Sequence, residues 1–213
     1  MSDVKPRLRG VLHEGAFFAA ILVAPLLLLS ADALRSRIAA AVFAFSVAAC
    51  FGVSALYHRI TWTPSWRRLM RRADHAGVYL LIAGTYTPVA LLVLKGDLGR
   101  VLLTVIWAGA LSAILLRVIW VDAPKWLAAA VGLALGWVAV VALPQLVERL
   151  QPTALTLLIS GGLLYSAGAV VYARRKPDPV PAVFGYHEVF HALTIVAATC
   201  QYLAIALFVI RPD

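Results

Sequence analysis

The sequence predicts an all-α fold: a polytopic membrane protein built as a seven-transmembrane helix bundle. Three observations predict it. Of the 213 residues, 62% are hydrophobic and 14% charged, against roughly half and about a quarter in soluble domains. Uninterrupted apolar stretches recur from Gly15 onward, each close to the length of about 20 residues that crosses roughly 30 Å of hydrocarbon. The connections between them are short and polar. Seven spans use about 140 residues and leave about 70 for two tails and six loops. Residues 1–213 are therefore expected to form a single seven-transmembrane domain, with 1–11 as a short tail and no room for a separate soluble domain.

Taken in order, the spans are expected at about 12–31, 38–58, 73–94, 100–120, 126–143, 154–173 and 187–209. The first follows Lys5, Arg7 and Arg9 and runs to Ala31-Asp32-Ala33. That is the outline of a secretory leader, but it is expected to remain as a span. His13 and Glu14 open it, where an ion pair or a snorkelling contact is the ordinary reading and a place at the rim of a site the alternative. The second span ends with Ser54 and His58. The 59–72 loop, with five arginines, Trp62 and Trp66, is expected to lie on anionic head groups with its indoles at the interface. An anchor for topology is its simplest role.

The third span opens with Asp74 and His75 and carries Gly84-Thr85-Tyr86-Thr87-Pro88. Pro88 cannot donate to the Gly84 carbonyl, so a kink is expected, with a threonine hydroxyl or a neighbouring helix satisfying the freed group. In the fifth span Gly132 and Gly136 stand four apart, a spacing that permits close helix approach. The seventh opens with His187, Glu188 and His191. Cys50 and Cys200 both fall inside apolar stretches, where cysteine acts as a small hydrophobe, and no disulfide framework is implied.

With seven spans, the amino-terminal tail shares a side with the 59–72, 121–125 and 174–186 connections. That side carries 13 of the 19 basic residues, Lys5 among them, and the opposite side carries the other six: Arg35, Arg37, Lys95, Arg100, Arg149 and Arg211. The positive-inside rule then places the amino terminus in the cytoplasm and the carboxyl terminus outside. The formal charge of +9 and pI near 10.1 do not signal a nucleic-acid partner, because the basic residues lie in loops between spans and not on one folded face. Membrane lipids are the expected partners.

Ionisable residues inside such a chain are expensive unless they meet a partner, a cavity or a metal. Here they cluster at one depth: Ser54 and His58 end one span, Asp74 and His75 begin another, and His187, Glu188 and His191 begin a third. Span parity puts all of them at the cytoplasmic end. Ser54 and His58 are four apart and share a helix face, as do His187 and His191. Neutral imidazoles are common zinc ligands, and three protein ligands plus one open position holding water is the usual catalytic arrangement. His58, His187 and His191 are the candidate zinc ligands. Asp74 is the candidate outer-sphere partner that holds or accepts the water's proton, and Ser54, one turn deeper than His58, is placed to bond the water or an incoming carbonyl. Satisfaction of each histidine by a helix neighbour or interfacial water is the plainer alternative.

His187-Glu188-Val189-Phe190-His191 also matches H-E-x-x-H, in which a metalloprotease uses the glutamate as general base. A hydrogen-bonded carboxylate facing the cytoplasm is the expected role of Glu188 here, and catalytic base the alternative. His75 projects about 100° from Asp74 on an ideal helix, so it is expected to be structural or to stand behind the ligands.

Together Ser54-Ala55-Leu56-Tyr57-His58, Asp74-His75 with Tyr79 and Gly84-Thr85-Tyr86-Thr87-Pro88, and His187-Glu188-Val189-Phe190-His191 resemble the hemolysin III family. This is the bacterial branch of the progestin and adipoQ receptor group. The resemblance runs through nearly the whole chain. It implies a bacterial inner (plasma) membrane protein with zinc held by His58, His187 and His191, and with Asp74 and Ser54 beside it. It also implies kinship with alkaline ceramidases, membrane enzymes that hydrolyse lipid amides through a similar zinc site. The animal receptors carry a long amino-terminal segment where this chain has about ten residues before its first span, so hormone reception is not expected.

The resulting expectation is a zinc-dependent hydrolase of a lipid amide or ester, with a lipid as substrate or ligand. Two alternatives stand beside it: a zinc-clamped lipid-sensing or membrane-homeostasis protein without turnover, and a haemolytic pore. No span carries polar residues along one face from leaflet to leaflet, as a wide aqueous channel requires.

Overall fold

A computed structural model describes residues 6–210, so Lys5 and Arg211 of the charge count lie outside the described residues. Among those residues, seven helices are long and apolar enough to cross a membrane. They are α1 Val11–Leu29, α2 Leu34–Arg59, α3 Pro64–Val93, α4 Asp97–Ile119, α5 Lys125–Arg149, α6 Pro152–Arg174 and α7 Tyr186–Phe208. The described residues are all-helical apart from turns, connections and one isolated bridge between Val180 and Phe184.

Two boundaries differ from the sequence expectation. The 59–72 stretch is not all loop: α3 begins at Pro64, nine residues before the expected start, so four of the five arginines ride on its first turns. Thr63 is extended and Pro64 occupies the first turn, where proline's fixed φ and missing N–H favour a helix start. Helix α5 continues to Arg149 through a 3₁₀ stretch at Val138–Ala142. Pro144 then falls in the first turn of the segment that follows, where its lost donor is harmless.

At Pro88 the α3 helix widens into a π-helical turn, Val89–Val93, the kind of local insertion that accompanies a kink. Thr85 and Thr87 donate their hydroxyls to the carbonyls of Leu81 and Ala83, each at 2.8 Å, and Trp107 of α4 donates to Thr87 Oγ1 at 3.1 Å. The threonine bonds thus go to carbonyls one and three residues before Gly84, and the neighbouring helix bonds a threonine hydroxyl, so none of the three is the expected bond to the Gly84 carbonyl.

Helices α2 and α3 are the most enclosed, and small side chains dominate the contacts. Ala39, Ala40, Ala83, Ala197, Ala204 and Ser46 are all fully buried. In hydrocarbon, where there is no hydrophobic drive between helices, small residues let backbones approach and gain dispersion and hydrogen bonds. Gly84 meets Ser46 of α2 so closely that a Cβ there would fall on the serine side chain. Gly161 of α6 faces Gln201 of α7, whose amide donates across the interface to the Leu158 carbonyl at 3.0 Å. Gly132 and Gly136 behave otherwise: a Cβ at either meets nothing within 4 Å. Their spacing marks no close side-chain approach among the described residues, although the Gly136 carbonyl accepts from the Tyr86 hydroxyl of α3 at 2.6 Å. Large apolar side chains such as Leu22, Leu29 and Ile119 point outward, as a lipid-facing surface allows.

Candidate metal centre

The cluster forms where the last turn of α2 meets the first turns of α3 and α7. Because Ser54 and His58 lie one turn apart on the inner face of α2, both are buried. His187 and His191 sit one turn apart on α7, with His191 buried and His187 partly exposed. One ligand atom from each of His58, His187 and His191 lies within 4.8 Å of the others. Ring centroids are 4.8 Å apart for His58 and His187, 4.4 Å for His187 and His191, and 5.2 Å for His58 and His191.

The donor set fits a zinc-sized ion. Zn–N bonds of about 2.0–2.1 Å at tetrahedral angles place ligand nitrogens about 3.3 Å apart, and His187 Nε2 stands 3.2 Å from His58 Nε2. That separation also suits a hydrogen bond between two rings. A third imidazole turned to the same point is what a pairwise bond does not require and a metal does.

Asp74 reaches the cluster from α3, its carboxylate 3.9 Å from His58 Nε2. The Ser54 hydroxyl is within hydrogen-bonding reach of that carboxylate. All five residues singled out in the sequence are therefore brought to one locus. His75 is not part of it: its Nδ1 is buried without a hydrogen-bond partner, consistent with the 100° offset from Asp74.

Glu188 has partners of its own. Its carboxylate is fully buried, accepts from the Gly185 N–H at 2.9 Å and pairs with Arg9 Nε at 2.6 Å. It caps the start of α7, as an acidic residue three positions into a helix commonly does, and it ties that start to the segment before α1. The expectation of a cytoplasm-facing carboxylate is corrected in one respect: Arg9 and the helix end enclose it.

At the beginning of α1 both readings weighed in the sequence meet, an ion pair and a place at the rim of the site. Glu14 makes the expected ion pair, with Arg59 at 2.8 Å. His13, three residues beyond Gly10, is buried with its ring stacked on His191 at 3.7 Å and 9° between planes. Nothing local signals this, since the contact joins residues far apart in the chain. A groove of about 700 Å³ between α1 and α2, with Phe17, Phe18 and Phe45 in its walls, is not lined by the three histidines.

Seven membrane-length helices closed around three converging histidines define a heptahelical integral membrane protein with a candidate metal centre near one end of the bundle. The family model for haemolysin-III-related proteins matches residues 1–202, and the chain belongs to that family. It is 32% identical to Hemolysin-3 of Bacillus cereus over 216 residues, covering 97% of this chain and 93% of that protein. It is 30% identical to the Hemolysin-3 homolog of Bacillus subtilis (strain 168) over 170 residues, 80% of this chain and 76% of that one. A plant relative, the Heptahelical transmembrane protein ADIPOR2 of Oryza sativa subsp. japonica, is 29% identical over 180 residues, 77% and 79% of the two chains. The chain is thus an integral protein of the bacterial plasma membrane.

Proposed function

We propose that this protein is a zinc-dependent membrane hydrolase that cleaves a lipid amide or ester at the cytoplasmic side of the membrane. The convergence of His58, His187 and His191 beside Asp74 carries the reading. A zinc ion held by these imidazoles supplies Lewis acidity toward a carbonyl and toward water. The chain's own residues do the rest. Asp74, 3.9 Å from His58 Nε2, takes or steers a proton. Ser54, in reach of Asp74, orients that carboxylate and offers a hydroxyl to an incoming carbonyl. The surrounding helices hold bulk water back, which strengthens each of these interactions.

A second reading keeps the metal as a clamp in a lipid-sensing or membrane-homeostasis protein without turnover. The enclosure of the site favours it, since the Arg9–Glu188 pair and the ring of His13 close against it. The relatives' name, hemolysin, adds a third reading, lysis through a pore, which predicts dye leakage from liposomes at low protein density.

Metal analysis and a lipid panel separate these. Purified protein is expected to hold about one zinc per chain, and His187→Ala with His191→Ala to empty it. Unchanged zinc in that double variant would remove the site. Asp74→Asn is expected to keep zinc and thermal stability while abolishing fatty-acid release. Zinc-loaded protein that cleaves no amide or ester lipid leaves the clamp standing and the hydrolase refuted.

A further inference from the structure

Three contacts made by one short segment, Arg9 to His13, reach the turns of α2 and α7 that carry the candidate ligands. Arg9 Nε pairs at 2.6 Å with Glu188, the residue between the two α7 histidines in the H-E-x-x-H string. Gly10 adopts φ +83°, and a Cβ there would stand 2.7 Å from the Cβ of His58. Glycine is therefore required twice, by the left-handed backbone and by the close approach to the α2 ligand. One turn on, His13 lies face to face on His191, with Phe51 of α2 at 4.9 Å. The two residues before it, Arg7 and Leu8, are held by backbone bonds to the carbonyls of Ala182 and Val183.

His13 is 3% exposed, and neither of its ring nitrogens has a hydrogen-bond partner. What the side chain contributes is its face. An imidazole that ligates a cation must hold its ring plane to keep a nitrogen lone pair on the ion, and groups behind a ligand that fix this orientation commonly govern metal affinity. The usual device is a hydrogen bond to the second ring nitrogen. Here a parallel ring at 3.7 Å occupies the flank of His191, and a ring in contact at that distance in a close-packed interior leaves its neighbour little room to turn.

We propose that His13 is a positioning residue of the metal centre, setting the ring plane of His191 by stacking, with Arg9 and Gly10 holding it in place. This rests on the three-histidine metal reading above. It assigns His13 no bond to the metal and no use for its nitrogens.

The test uses full-length protein in detergent loaded with Co²⁺, whose ligand-field absorption reports coordination geometry, together with zinc affinity by chelator competition. His13→Phe keeps a ring and removes both nitrogens, and should retain the wild-type spectrum and affinity. His13→Ala removes the ring, and should shift the spectrum and weaken zinc by about 10–100-fold. Thermal unfolding of the metal-free variants separates packing loss from ligand misorientation, because a merely structural role lowers stability and leaves the cobalt spectrum unchanged. His13→Phe behaving as badly as His13→Ala would show that a nitrogen is used and overturn the proposal. So would His13→Ala with wild-type spectrum and affinity. Wild-type protein that takes up no cobalt and no zinc would refute the metal reading itself, a result distinct from either.

Discussion

Buried charge is the costliest feature of this bundle, and Glu188 shows how a single residue is accommodated. Its carboxylate is fully enclosed but meets both a guanidinium and a backbone N–H. Removing one partner of such a pair leaves an uncompensated charge and costs about 3–5 kcal/mol. Glu188→Gln is expected to lower the thermal unfolding midpoint, as Arg9→Gln does, while both variants retain zinc. A wild-type unfolding midpoint for Glu188→Gln in differential scanning calorimetry would contradict the pair. The H-E-x-x-H string alone could not decide this, because the arginine that occupies the carboxylate arrives from a residue 179 positions away.

Helix contacts follow the same logic at the scale of the element. Gly84 and Ser46 join α3 to α2 with no room for another atom. Gly84→Leu is expected to destabilise the protein by about 1–3 kcal/mol through overpacking, and Ser46→Gly in the same chain should recover part of the loss. A double-mutant cycle in detergent that gave simple additivity would contradict the contact. Gly132→Ala and Gly136→Ala, at positions open to their surroundings, are expected to be neutral or stabilising by up to about 1 kcal/mol through helix propensity. In sequence the two α5 glycines look like a packing motif and Gly84 looks like part of a kink. A spacing says which residues share a face, but not whether another helix stands opposite that face. The early start of α3 has a related cause. Arginines suggested a loop on anionic head groups, whereas Thr63-Pro64 opens a helix, with Arg71 paired to Asp122 of the α4–α5 connection.

Across the whole molecule, the distribution of basic residues predicts orientation. The end of the bundle that carries Arg9, His58, Asp74 and His187 should face the cytoplasm, and with it the candidate centre. Single cysteines in a background lacking Cys50 and Cys200, placed at Ser65 and at Asp97, should differ in labelling by a membrane-impermeant maleimide applied to intact spheroplasts. Asp97 is expected to label and Ser65 only after lysis; the reverse pattern would invert the topology and place the centre outside.

The sequence by itself determined the number of spans, their approximate limits and which histidines could meet, because hydrocarbon imposes a length on each helix and span parity assigns each polar residue a depth. It carried the family as well, through three motifs spread along the chain. Only the tertiary structure decided that Glu188 is committed to Arg9, that His13 lies against His191, and which glycines stand beneath a neighbouring helix. Depth is a property of one helix in a slab. Rotation of each helix about its axis, and the neighbour it therefore faces, is set by packing among all seven at once, and no local stretch of residues encodes it.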